Sequence, residues 1–238
     1  HGQGILISES GYRYEGAWDN GSKEGLGTIT YADGAIYSGW LVDDKRAGKG
    51  SLTTPDGLIL LGEWNNGEFN GKGTITQPNG DVYYGNITDG VQEGAGEATY
   101  SNGDVYKGQF SNGFRQGYGE LIGVDSYHFA GDWFEGEIEG LGTETYPDGS
   151  VYKGEFISNL ADGNGEITYA NGATYKGKWK AGVVDGKGIS TYPNGMIYDG
   201  NFKNGKIHGF GLMIFSDSYR YEGFWENGER HGVGKVAY

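Results

Sequence analysis

Cysteine is absent from the 238 residues, and proline occurs only four times. Without cysteine the chain has neither disulfide bonds nor thiolate ligands for zinc, so neither can stabilise its fold. Long apolar runs are missing as well, because no stretch approaches the roughly 20 residues that a membrane-spanning helix needs.

Positive charge is scarce too. The 18 Lys and Arg residues stand against 32 Asp and Glu residues, which gives a formal net charge of −14. Such a surface repels nucleic acid and the anionic cytoplasmic leaflet on average. We therefore expect no nucleic-acid partner, and contact with a membrane would need a local basic patch.

Glycine and aromatic residues are the most abundant features. The 49 glycines are about three times the usual share, and aromatic residues make up 15% of the chain. The glycines have no three-residue period, which excludes collagen. The aromatic side chains bring large apolar surfaces that favour burial, so the composition does not indicate disorder.

A period of 23 residues organises the whole chain without insertion or deletion. The leading residue of each copy is, in order, Tyr14, Tyr37, Leu60, Tyr83, Tyr106, Phe129, Tyr152, Tyr175, Tyr198 and Tyr221. A glycine follows two residues later, a large apolar residue four residues later, and further glycines eleven and thirteen residues later. This pattern predicts one array over residues 1–238, with a partial repeat at 1–13 and then ten repeats.

The turns follow the same period. Most repeats have Asp-Gly or Asn-Gly at the nineteenth and twentieth positions after the leading residue, as in Asp33-Gly34. Such pairs predict a hairpin turn, because both residues tolerate positive φ. All four prolines directly precede these pairs, at Pro55, Pro78, Pro147 and Pro193. Serine replaces the turn glycine at Ser126 and Ser218.

Each repeat supplies two short strands, such as 14–18 and 25–31. Because side chains alternate between the two faces of a strand, aromatic residues and glycines share one face and polar residues the other. Glycine leaves room for a neighbouring ring to lie flat over the sheet. We predict an all-β fold, an elongated single-layer antiparallel β-meander of tandem hairpins, twisted or curled with an aromatic groove.

The motif Y-x-G-x-W-x-x-G-x-x-x-G-x-G resembles the MORN (membrane occupation and recognition nexus) repeat along the whole chain. The resemblance implies an extended β-meander with an aromatic groove. It also implies roles in tethering membranes, organising cytoskeletal structures, binding partner helices or peptides, and forming antiparallel dimers. MORN arrays also occur beside catalytic modules, but no such module is recognisable here, and the chain looks like the scaffold-type pure arrays.

The aromatic groove is the first candidate site. Its predicted lining is Trp18, Trp64, Phe110, Trp133, Phe156, Trp179, Phe202 and Trp225. A single layer has no second sheet to cover these rings, so we expect an uncovered apolar surface that binds a partner. The alternative interpretation is that the rings replace a core and are buried.

Two charged segments are further candidates. A basic patch, predicted to meet anionic lipid or an acidic protein segment, consists of Lys176, Lys178, Lys180 and Lys187. Residues 129–151 contain six acidic residues and no Lys or Arg. In an antiparallel dimer we expect this acidic block to lie near a basic block of the second copy. Solvated surface charge is the alternative for the lysines.

Catalytic and metal sites are not expected. The paired carboxylates recur as ordinary surface positions of a repeat, whereas a catalytic site would break the period with a cluster of unlike groups. His208 and His231 hold equivalent positions about 9.6 Å apart at the usual strand spacing, too far for one zinc ion to bridge. We predict no enzyme activity, no cofactor and no metal.

The leading hypothesis is therefore a protein-interaction scaffold. It would bind partner peptides or helices in the groove, form homo-oligomers such as an antiparallel dimer, and act in the cytoplasm at a cytoskeletal or membrane-linked structure. A phospholipid-binding membrane tether is the alternative, for which the lysines are the candidate residues. A cell-surface glycan-binding array is a second alternative.

Overall fold

The structure, a computed structural model, describes residues 1–215 and 219–238, so the predicted serine turn at Ser218 lies outside the described residues. The described residues form antiparallel strands, which confirms the predicted all-β class. They contain no helix that could span a membrane. Contacts divide the chain into two compact units, His1–Gln116 and Gly117–Tyr238.

Each unit is a meander of short strands. The first contains β1 (Gly2–Ile7), β2 (Arg13–Asp19), β3 (Ser22–Thr30), β4 (Ile36–Val42), β5 (Lys45–Thr53), β6 (Ile59–Asn65), β7 (Glu68–Thr76), β8 (Val82–Thr88), β9 (Val91–Thr99) and β10 (Val105–Ser111). The boundary lies within β11 (Phe114–Ile122). The second unit continues with β12 (His128–Phe134), β13 (Glu137–Thr145), β14 (Val151–Ile157), β15 (Leu160–Thr168), β16 (Thr174–Lys180), β17 (Val183–Thr191), β18 (Ile197–Lys203), β19 (Lys206–Ile214), β20 (Arg220–Glu226) and β21 (Glu229–Ala237).

Strands that follow one another in the chain pair as antiparallel neighbours within each unit. A seven-residue strand leads to a nine-residue strand in each repeat, so both strands are longer than the sequence pattern predicted. The side of the sheet that carries Tyr152 and Phe156 is called the aromatic face. The opposite side, which carries Lys153, is called the outer face.

The two-residue hairpins lie at the other connection of the repeat, between its first and second strands. At Asn20-Gly21 both residues have positive φ, 47° and 88°, as a two-residue hairpin requires. At Asp33-Gly34 only the glycine has positive φ, although the turn does connect two antiparallel strands, as predicted. That connection is a five-residue loop, closed by a 2.8 Å hydrogen bond from Tyr31 N to Ala35 O.

The two late glycine columns have different roles. Gly25 has φ of 94° and lies where the pairing of β2 with β3 changes register between Gly16 and Trp18, so it forms a β-bulge. Gly142 belongs to the other column, where a Cβ would stand 2.5 Å from Cε2 and 2.6 Å from Cζ of Phe129. The rings do lie over glycine, which confirms that prediction.

The leading tyrosines add a hydrogen bond to this packing. The Tyr152 hydroxyl donates to the carbonyl oxygen of Glu155 at 3.0 Å, and the Tyr175 hydroxyl donates to that of Lys178 at 2.8 Å. The accepting residue lies beside the register change in each strand pair. The ring and its hydroxyl therefore fix the bulged part of each repeat.

Candidate functional site

The rings predicted to line an open groove are mostly buried. Trp18 is half-buried, whereas Trp64 and Phe110 in the first unit and Trp133, Phe156, Trp179, Phe202 and Trp225 in the second have at most 8% of their surface exposed. The expectation of an uncovered ring surface was therefore wrong at these seven positions. The rings pack as the core, which is the alternative that the sequence left open.

Contacts between rings explain this burial. Tyr152 meets Phe156 of its own repeat edge to face at 5.1 Å between centroids, and it meets Trp179 of the next repeat at 5.0 Å. In the second unit such pairs link every leading ring and every following ring from Phe129 to Trp225. Each ring covers its neighbours, so the face needs no second sheet to exclude water from its rings.

The accessible part of the aromatic face is a row of tyrosines at the start of the five-residue loops. In the second unit these are Tyr146, Tyr169 and Tyr192, here called the tyrosine edge, and Tyr169 has 37% of its surface exposed. Tyr31 and Tyr100 hold the same position in the first unit. These residues are the last tyrosine of the second-strand motif, which the sequence pattern places on the same face as the predicted groove.

The leading tyrosines predict a loss of stability at alkaline pH. Burial raises the pKa to about 12 for Tyr37, Tyr83, Tyr106, Tyr152, Tyr175 and Tyr198. An ordinary tyrosine has a pKa near 10, so the neutral form is favoured in the fold. Their contribution to stability is present below pH ~10 and is lost as the pH rises to about 12.

Absorbance at about 295 nm measures the ionisation of the tyrosines, and circular dichroism measures the loss of the β-sheet over the same pH range. We expect the late-titrating tyrosines to ionise in parallel with loss of the β-sheet signal. Ionisation of all tyrosines near pH 10 with the sheet intact would contradict the prediction.

The first unit has a cavity of about 490 Å³ on its aromatic face. Its lining includes Tyr83, Gln92, Ala98, Tyr100 and Phe110. Ala98 occupies a position at which several other repeats have isoleucine or leucine, so its small side chain leaves space between the rings. The cavity is open to solvent, and its lining combines aromatic rings with polar side chains such as Gln92.

The aromatic face also holds cations that belong to the chain itself. The guanidinium carbon of Arg46 lies 4.2 Å from the ring centroid of Trp64, and that of Arg230 lies 4.6 Å from the centroid of Tyr221. Arg115 and Lys23 stand over Tyr106 and Tyr14 in the equivalent position of their repeats. The rings of this face therefore accept cations in cation–π geometry.

The basic patch lies on the outer face of the second unit. Lys176, Lys178 and Lys187 are exposed there, and Lys180 is at the end of β16. Lys176 is opposite Glu166, and its Nζ lies 3.4 Å from the Glu166 carboxylate. Lys153 was not among the predicted residues, and the pairing of β14 with β15 places it opposite the same Glu166. The patch is thus interrupted by an acidic residue.

Many acidic residues have a structural role between repeats. The carboxylate of Asp162 accepts a hydrogen bond from the backbone N–H of Ala181 at 3.0 Å, and Asp185 accepts one from Asn204 at 3.1 Å. In the acidic block, Glu139 accepts from Ser158 N at 3.2 Å. Part of the large negative charge therefore connects each repeat to the next.

Metal ligands are not clustered within residues 1–215 and 219–238, where no group of three or more His, Asp or Glu side chains could hold an ion. His231 Nδ1 instead lies 3.4 Å from the carboxylate of Glu226.

The MORN repeat profile matches the chain in ten consecutive segments, at 14–36, 37–59, 61–82, 83–105, 106–126, 129–151, 152–174, 175–197, 198–218 and 221–238. No curated protein sequence matches it. These segments follow the 23-residue period and include the five-residue loops with their glycine and proline positions.

Solved structures with similar strand arrangements include two TCP domains. The wild-type TCP10 domain of Danio rerio CPAP is 13% identical, with a TM-score of 0.38 over 98% of this chain and 100% of that one. The SAS-4 (dCPAP) TCP domain of Drosophila melanogaster, solved with a proline-rich motif of Ana2, is 17% identical, with a TM-score of 0.40 over 75% and 90%. With TM-scores below 0.5, these likenesses carry no functional argument.

Proposed function

The chain belongs to the MORN repeat family, and we propose that it is a non-catalytic scaffold that binds a partner helix or peptide along its aromatic face. The tyrosine edge is the observation that carries this proposal. Tyr146 and Tyr192 are half-buried and Tyr169 is exposed, so rings with hydroxyl groups stand at equal intervals beside an apolar core. Tyrosine is enriched in protein interfaces because its ring packs and its hydroxyl forms hydrogen bonds.

The spacing of the tyrosine edge suits a helix that crosses the strands. Equivalent tyrosines are two strands apart, which corresponds to about 9.6 Å. Seven residues of an α-helix advance about 10.5 Å. A helix lying across the strands would therefore offer one side chain per heptad to each tyrosine, and a repeat array would extend this match over successive turns.

Selection from a phage-displayed library of helical peptides tests this function. We expect selected peptides to bind the wild-type protein and to lose about tenfold or more in affinity when Tyr169 and Tyr192 are both replaced by serine, because buried interface tyrosines contribute strongly. Tyr84→Ser/Tyr118→Ser is the matched control, since these tyrosines are 57% and 60% exposed on the outer face. Equal affinity for both double variants would contradict the proposal.

Self-association belongs to the same proposal. The acidic block of residues 129–151 and the basic patch that contains Lys178 and Lys187 have opposite charge, so an antiparallel pair of chains would bring unlike charges together. Sedimentation equilibrium at low salt and at about 1 M salt measures this, because salt screens exposed charges. We expect the dimer to dissociate more readily at high salt.

We also propose that the scaffold acts in the cytoplasm, at a cytoskeletal or membrane-linked structure.

The alternative function is binding of anionic phospholipid at the basic patch. Its support is the gathering of Lys153, Lys176, Lys178 and Lys187 on one face. The net charge of −14 opposes it. Sedimentation with phosphatidylserine vesicles separates the two functions. Binding that is lost in Lys176→Glu/Lys178→Glu/Lys180→Glu would favour the lipid, whereas protein that stays in solution agrees with the scaffold.

A further inference from the structure

Glu144 is an acidic residue on the aromatic face, at the position where Ile167 and Ile75 lie in other repeats. It is half-buried and pairs across the strands with Phe129 and Tyr152, both of which are fully buried. One carboxylate oxygen accepts a hydrogen bond from the Tyr127 hydroxyl at 3.0 Å, and the other accepts one from the Tyr146 hydroxyl at 2.5 Å. The carboxylate of Glu144 is thus surrounded by aromatic side chains.

The position of the carboxylate is fixed by these partners. Burial, followed by the hydrogen bond to Glu144, raises the pKa of Tyr146, so its hydroxyl stays protonated and remains a donor. Each ionised carboxylate oxygen has two lone-pair sites, and the tyrosines use one on each oxygen. The two remaining sites can accept from one more donor group, such as a guanidinium that forms two parallel hydrogen bonds.

Cations of the chain occupy this face elsewhere, at the second residue of the second strand of a repeat. Arg46 and Arg230 are examples, both stacked over rings of the aromatic face. In the repeat of Glu144 the equivalent position is Ile138, which is buried and apolar. Residues 129–151 contain no Lys or Arg at all. This repeat therefore combines aromatic rings and a carboxylate without supplying a cation of its own.

We propose that Glu144, together with Tyr127, Phe129, Tyr146 and Tyr152, forms a subsite for one arginine side chain of the bound partner. The proposal rests on the scaffold function and names the chemistry that the partner must have. The planar guanidinium matches the two free carboxylate sites and stacks on aromatic rings, as the chain's own arginines do on this face. Tyr146 is part of the tyrosine edge, so the subsite is continuous with the proposed binding surface.

Titration of the ¹⁵N-labelled protein with acetyl-Gly-Gly-Arg-Gly-Gly-amide tests the subsite. We expect shifts of the amides around Tyr127, Glu144 and Tyr146. We also expect about tenfold weaker binding for the same peptide with citrulline, an uncharged isostere of arginine, because a hydrogen bond to a charged group is much stronger than a neutral one. This comparison uses only the wild-type protein. Equal affinity for the two peptides would overturn the proposal.

Substitutions of the carboxylate provide the second measurement. Glu144→Gln should weaken arginine-peptide binding about tenfold, and Glu144→Ile should do the same while keeping the residue that folds in other repeats. Glu137→Gln is the matched control, because it removes the same charge from an exposed position of the same strand. Thermal melts establish that each variant is folded. Wild-type affinity in a folded Glu144 variant, or shifts centred on other acidic residues, would refute the subsite.

Failure of the arginine subsite can be distinguished from failure of the scaffold function. The arginine peptide needs no natural partner, so its binding is measured even if no helical peptide is selected from a library. If selected peptides bind at the tyrosine edge and Glu144→Gln leaves the affinity of arginine-containing peptides unchanged, the scaffold function stands and the subsite is wrong.

Discussion

Replacing Gly142 by valine is expected to destabilise the second unit by about 3 kcal/mol. The new Cβ would stand 2.5 and 2.6 Å from two carbon atoms of the Phe129 ring and 3.3 Å from Cε2 of Phe156. Phe129 is fully buried and meets both Trp133 and Phe156 edge to face, so it has no free space into which to move. Urea unfolding followed by circular dichroism measures the loss.

A double-mutant cycle shows whether the ring is the cause. Phe129→Ala alone should cost about 3 to 5 kcal/mol through the cavity that it leaves. Combined with Gly142→Val, the total should fall below the sum by about 1 kcal/mol or more, because the valine enters that cavity. Thr143→Val is the control for the β-branched shape, since Thr143 lies on the outer face of the same strand. Equal destabilisation by Thr143→Val, or strict additivity, would disprove packing of the ring over glycine.

The regular part of the molecule could be predicted from the sequence. Columns that recur every 23 residues located the strands, the faces and the prolines in the loops. Trp40 and Leu41 show that the columns distinguish between adjacent apolar residues. The column assigned Leu41 to the aromatic face, and it is fully buried, whereas the adjacent Trp40 is 49% exposed on the outer face. The alternation of side chains along the strand assigns Leu41 to the buried face, although the adjacent tryptophan is aromatic and leucine is not.

The functions of the individual columns could not be read in the same way. Gly140 and Gly142 look equivalent in the sequence, yet the first has φ of 105° in a bulge and the second makes room for Phe129. The mutual cover of the rings depends on their orientation, which a pattern of residue types does not contain. Glu144 was recognised only as one of several acidic residues, because its tyrosine partners come from two different loops.

Replacing Trp179 by alanine should destabilise the second unit by about 3 to 5 kcal/mol. Trp179 is 8% exposed and contacts Tyr152 of the preceding repeat at 5.0 Å and Tyr175 of its own repeat at 5.6 Å between centroids. Its Nε1 has no hydrogen-bond partner among residues 1–215 and 219–238. The loss would therefore come from packing and would measure what one ring contributes to the contact between two repeats.

Trp40→Ala is the matched control, because the same side chain is removed from the outer face, where it is 49% exposed. We expect it to cost less than about 1 kcal/mol. Stability in a repeat array depends on contacts between neighbours, so hydrogen exchange in Trp179→Ala should accelerate most in β14 to β17 and much less in β20. Uniform acceleration across the second unit would show that its repeats open together. Equal losses for the two tryptophan variants would show that the buried rings are not what holds adjacent repeats to one another.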